Sequence, residues 1–152
     1  MNGENFRAWQ QLANEGIITG HYSGVRTPIS FNLSNYCTSS PGTNIPTGSL
    51  TNTGFLLQSL PAQVYSDPWW YPQLYGNMMV YGYINDWGNP VPILTSSEAK
   101  NIDAKMDDGR PAQGNIMTFK PAADPGCASD DTTAASYTGR GGAVCRLLFL
   151  IP

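Results

Sequence analysis

Charge is scarce in this chain. Asp, Glu, Lys and Arg make up 12% of its 152 residues, where an average soluble domain carries about a quarter. The eight basic residues are scattered from Arg7 to Arg146 without a cluster. Phosphate backbones are bound by basic stripes, so this pattern argues against nucleic acid as a partner. It argues equally against an anionic membrane surface. No apolar run approaches the roughly 20 residues that a spanning helix needs; the longest, Leu147 to Ile151, suits a buried strand. No secretory signal is visible at Met1. His21 is the single histidine, so any Ser-His-Asp or Cys-His arrangement must use it. Its setting, Gly20-His21-Tyr22-Ser23, is turn-like and carries no nucleophile elbow. Among the three cysteines there is no Cys-x-x-Cys pair, which argues against zinc.

What remains is apolar, aromatic and loop-forming. Hydrophobic residues reach 41% and aromatics 11%, too rich for a disordered chain. With 16 Gly and 12 Pro, the composition predicts one loop-rich domain over residues 1–152, of extracytoplasmic type. Asn5 to Glu15 reads as a helix, because Phe6, Trp9, Leu12 and Ala13 fall on one stripe. Gly16 is placed to end it, after which Ile17 and Ile18 are expected to turn into the core. From Gly20 to Thr53 the chain should be mostly loop. Strands are predicted at Phe55–Leu60 and Met78–Ile84, the latter with Met79, Tyr81 and Tyr83 on one face. Asn85 to Pro90 reads as a turn. A second helix runs from Ser96 to Asp107, opened by the capping box Thr95-x-x-Glu98 and stopped by Gly109 and Pro111. Ala99, Ile102 and Met106 are its expected buried stripe. Asn115–Phe119 and Ala143–Ile151 are the last strands. Together these elements predict an α+β fold, an antiparallel sheet with helices on one face.

Three groups of side chains invite a chemical reading. Cys127 and Cys145 bracket a loop rich in Gly, Ser, Thr and Asp, and closing it would be worth about 3 kcal/mol; three free thiols, with Cys37 the odd one, is the other reading. Aromatic residues crowd the stretch 65–75: Tyr65, Trp69, Trp70, Tyr71 and Tyr75. Packed under proline-rich loops they are core; exposed, with Trp87, they would mark a protein interface or stack on sugar rings. Asp103, Asp107 and Asp108 could offer oxygens to calcium, as could Asp130 and Asp131. Neither set has the EF-hand spacing, and side chain to backbone hydrogen bonding in a turn explains the first equally well. No cofactor is called for.

Four segments, in order, resemble one group of bacterial proteins. Phe6-Arg7-Ala8-Trp9-Gln10, with Leu12-Ala13 and Gly16-Ile17-Ile18 behind it, is similar to the opening of the heads of proteins that carry prepilin-type N-terminal cleavage and methylation signals. Pro41-Gly42, followed by Asn44-Ile45-Pro46, resembles a loop of that group. Ile102-Asp103, Lys105-Met106-Asp107-Asp108-Gly109 and Pro111 resemble its helix and turn. The stretch from Cys127 to Cys145 resembles the disulfide-closed region near many pilin C-termini. The resemblance implies a pilin-like head with a Cys127–Cys145 bond, and a structural role without catalytic residues. It implies a minor pilin or pseudopilin subunit of a type IV pilus or type II secretion-like filament in the bacterial envelope or outside the cell. Its partners would be other pilin-like subunits. Members of the group carry a cleaved signal and a long apolar helix upstream of the head. Neither stands in these residues, so the expectation is a head alone, with Met1 an introduced start. Membrane contact would then run only through that missing helix, and the isolated head should be a monomer. The alternative is an extracellular adhesin, a carbohydrate- or protein-binding module using Trp69, Trp70, Tyr71 and Trp87.

Overall fold

A computed structural model of the chain describes residues 4–26, 39–60, 67–85, 89–130 and 134–151. Cys37, Tyr65, Trp87 and Asp131 lie outside the described residues. The elements, in order, are α1 (Glu4–Asn14), β1 (Thr53–Leu60), β2 (Gly76–Ile84), β3 (Pro90–Val91), α2 (Ser96–Met106), β4 (Ile116–Met117) and β5 (Leu147–Ile151). Among the described residues the sheet has five strands in the order β1-β2-β5-β4, with β3 on β2. β5 pairs antiparallel with β2, Val80 facing Leu148, and β4 pairs antiparallel with β5, Met117 facing Leu148. The fold is therefore α+β around an antiparallel sheet.

The chain packs as two compact units, Met1–Leu57 with Tyr83–Val91, and Gln58–Gly82 with Pro92–Pro152. In the first unit α1 buries Phe6 and Trp9, one helical turn apart, while Leu12 and Ala13 are half-buried. Gly16 has a φ of 70°, which a residue with a Cβ adopts only with strain. Its N–H donates to Ala13 O, and Ile17 N–H donates to Leu12 O, the paired bonds of a Schellman stop. That turn sends Ile17 outward. It is 68% exposed, a correction to the expectation that it enters the core. The segment after α1 is irregular but packed. Asn44, fully buried, accepts from Ser40 N–H at 2.7 Å and donates to Val25 O at 3.1 Å. Backbone groups that lack a ladder are satisfied by a side-chain amide instead.

The second unit is built around Leu94, Ala99, Ile116, Cys127, Cys145 and Leu147. The Cys127–Cys145 bond is formed, with Cα atoms 5.0 Å apart, and both residues are wholly buried. β2 alternates as expected, burying Met78, Val80 and Ile84 and leaving Met79, Tyr81 and Tyr83 half-exposed. The last strand begins later than its sequence suggests. Cys145 bridges Leu94 instead, accepting from Ile93 and Leu94 N–H groups through its carbonyl. This ties the approach to α2 directly to the disulfide. The short β3, which the turn signals of 85–90 conceal, pairs Tyr83 with Val91.

Candidate functional site

A cluster of carboxylate side chains sits where α2 ends. α2 starts on its capping box: Glu98 N–H donates to Thr95 Oγ1 at 3.2 Å and Thr95 N–H donates to Glu98 Oε2 at 2.8 Å. These bonds hold the Glu98 carboxyl below the usual range, the backbone N–H of Thr95 first and its hydroxyl second. The helix buries Ser96, Ala99 and Asp103. Met106, expected on that face, is 68% exposed, and the inward position one turn earlier is held by a carboxylate instead.

Asp103 is buried because both of its oxygens are satisfied. Oδ2 accepts from the Tyr137 hydroxyl at 2.8 Å, and Oδ1 accepts from Gly109 N–H at 3.0 Å. Burial pushes its carboxyl up, against the pull of those two donors, and the neighbouring Asp108 and Asp107 add to the rise. The same partnership, after burial, drives the Tyr137 hydroxyl far upward. Asp107 turns its side chain over the following loop. Its Oδ2 accepts from Asn115 N–H and from Ile116 N–H at 3.0 Å, so it starts β4. Gly114 packs so close that a Cβ there would stand 1.9 Å from Asp107 Oδ2 and would push that carboxylate aside, and its φ of 78° is strained for any other residue. Asp108 accepts from Arg110 N–H at 2.8 Å.

One oxygen from each of these three carboxylates lies within 4.8 Å of the others. A hard cation such as calcium takes 6–8 oxygens, and this set could supply some of them. Every one of the three side chains nonetheless accepts a backbone N–H, so the arrangement works as a clasp from α2 to β4 without any ion.

The aromatic stretch divides by exposure. Trp69 is 57% exposed, and its N–H donates to Asp67 Oδ1. Trp70 turns inward, its ring 4.6 Å from Phe119 and 5.1 Å from Tyr75, edge to face. Tyr71 is buried and donates to Ser129 O at 2.8 Å; burial, then the charge of Asp130, pushes its hydroxyl up to about 12. Tyr75 is buried too and donates to Tyr71 O. Of the four residues named as a contact surface, Trp69 is the one presented to solvent, Trp70 and Tyr71 belong to the packing, and Trp87 is outside the described residues. His21 is exposed.

One polar pair escaped the reading of the sequence. Asp124, fully buried, accepts from Arg146 N–H at 3.0 Å and from Arg146 Nε at 2.9 Å, with Arg146 Nη2 at 2.8 Å. The guanidinium lies 4.0 Å over the Phe119 ring, a cation–π contact in a largely water-free setting. Burial raises the Asp124 carboxyl, and Arg146 opposes that rise. The only trace in the sequence is an arginine set between a cysteine and two leucines, which must find an anion if the cysteine is buried.

No helix among the described residues is long and apolar enough to cross a membrane. No family model matches the chain, and neither does any curated protein or solved structure.

Proposed function

We propose that this chain is the head of a pilin-like subunit, a minor pilin or pseudopilin, and that it serves a filament as a packing part without chemistry of its own. One observation carries the reading. The segments that resemble pilin-like heads spend their reactive groups on holding the chain together: Asp103, Asp107 and Asp108 on backbone N–H groups, Cys127 and Cys145 on each other. A disulfide in the middle of the core also suits folding in an oxidising compartment, in or outside the cell envelope. The partners are other pilin-like subunits, joined chiefly through an apolar helix upstream of Glu4. The head by itself is then a monomer.

Fractionation of the cells that make the protein tests this. An antibody against the head should detect it in the envelope or in sheared surface filaments, with the two cysteines bonded. Recovery only in the cytosol, with both thiols free to alkylation, would sink the proposal.

A second reading keeps one specific support. Trp69, 57% exposed, offers an aromatic face on the second unit, as a binding module for sugar or protein would. A glycan array probed with the protein and with Trp69→Ala decides it: signal that the substitution abolishes favours an adhesin, and a blank array removes the carbohydrate version.

A further inference from the structure

We propose that the first unit contains a built site for one internal water molecule, bridging α1 to the residue that begins segment 39–45. The Trp9 indole N–H donates to it, and the Ser39 hydroxyl completes its bonding.

Two independent observations meet there. Among the described residues, Trp9 Nε1 and Ser39 Oγ are the buried side-chain polar atoms without a hydrogen-bond partner. The two residues are 6% and 5% exposed, and buried polar groups in folded proteins are nearly always paired with protein or ordered water. Both residues also line one small cavity, with Asn5, Phe6, Ile45, Leu56 and Leu57 completing its wall.

The size of the space selects the ligand. Its volume is about 10 Å³, close to the one-probe space that a single water requires. An internal water needs two to four polar partners. The indole supplies a donor and nothing else, so its partner must accept; the serine hydroxyl can donate or accept. A water satisfies all of these demands at once, whereas a direct Trp9–Ser39 bond would satisfy one pair and leave the space unfilled. The water thus explains a polar ring at position 9, where a phenylalanine would fill an apolar pocket without leaving a donor. This inference stands apart from the filament reading, because it concerns how α1 is fastened in any version of the function.

Nuclear magnetic resonance on the ¹⁵N-labelled protein tests it. The Trp9 Hε1 resonance, assigned by its disappearance in Trp9→Phe, should show a cross-peak to long-lived bound water. Ser39→Ala should abolish that cross-peak while the Trp69 indole signal and the amide spectrum stay in place. No cross-peak in the unsubstituted protein, or an undiminished one in Ser39→Ala, would overturn the proposal. A crystal structure gives the same answer if Ser39→Ala folds poorly. Electron density for a water at hydrogen-bond distance, about 2.7–3.2 Å, from both Trp9 Nε1 and Ser39 Oγ is the expected result. A protein atom in that position is the contrary one.

Discussion

Among the described residues, the buried polar ones of the first unit are Ser39, Asn44 and Thr53, all neutral; those of the second are Ser96, Asp103, Thr118 and Asp124, two of them carboxylates. The difference is one of chemistry. Asn44 satisfies backbone groups with an amide that does not titrate or oxidise. Asp103, Asp107 and Asp124 do the same work with carboxylates, and the core of that unit holds a disulfide. A neutral amide costs less to bury than a carboxylate. The carboxylates repay that cost only while every partner is in place, which makes the second unit the more exacting of the two. It is therefore where substitution and reduction should act most strongly.

Removing one partner of the buried ion pair tests that contrast hardest. Arg146→Ala leaves the Asp124 carboxylate inside without its cation, and losing one side of such a pair costs about 3–5 kcal/mol. Urea unfolding should show that loss as a lowered midpoint. A change below about 1 kcal/mol, the range of a surface pair, would mean that water reaches Asp124 and that the pair is not a buried one. Replacing Cys127 and Cys145 together by alanine comes next. The bond spans a sequence separation of 18, and a loop of that size is worth about 3 kcal/mol. Hydrogen exchange should quicken at Leu147–Ile151 and at Leu94 and leave the Asn44 amide slow. Equal acceleration in both units would erase the distinction drawn between them. Asn44→Ala in the first unit removes the side-chain acceptor of Ser40 N–H and one of the donors to Val25 O and should cost about 1–3 kcal/mol. A cost larger than that of Arg146→Ala would reverse the ranking of the units.

How much of this could be read in the sequence follows from the range of each interaction. The Thr95–Glu98 box and the Gly16 stop are local: each is complete within six residues, and each is found where the sequence puts it. Strand β2 was legible because alternation is a property of one segment. Met106 departs from its expected place because helical periodicity says which residues share a face, while other parts of the chain decide how far that face stays covered; Ile17, beyond the helix, is sent outward by the Schellman turn. At the end of α2 the inward position belongs to Asp103, whose partner Tyr137 lies 34 residues away. A periodicity argument that counts apolar residues scores such an aspartate as surface. Asp124 and Arg146, 22 residues apart, are invisible on the same ground. The Cys127–Cys145 bond could be anticipated, because the cysteines bracket a turn-rich loop and resemble a known pattern. The acidic motif was recognised as a unit, but its use as a clasp depends on Gly109, Asn115 and Ile116 presenting their N–H groups, which only the fold reveals.

The finest test of the contrast is pH, and it separates two carboxylates on one helix. Glu98, at the start of α2, is held below its ordinary value by the Thr95 N–H and hydroxyl. Its contribution is therefore complete above its unfolded value, and it is lost as pH falls through the folded one. Asp103, near the end, is pushed above its ordinary value by burial. In the window between its unfolded and its folded value the folded chain binds more protons than the unfolded chain. Stability there falls as pH rises, so acidification through that window favours the fold. The two substitutions should then change the slope of stability against pH in opposite senses. Glu98→Gln, which keeps a capping side chain, removes a loss on acidification. Asp103→Asn removes a gain; its amide has one acceptor oxygen, which can keep the Gly109 N–H bond, while the Tyr137 hydroxyl must turn to accept from the NH2 group. Unfolding midpoints measured from neutral pH down through the carboxylate range, for the parent and both variants, should show the parent's curve lying between theirs in slope. Slopes that move the same way would show that the end of α2 is as open to water as its beginning, and that the second unit does not seal Asp103 inside.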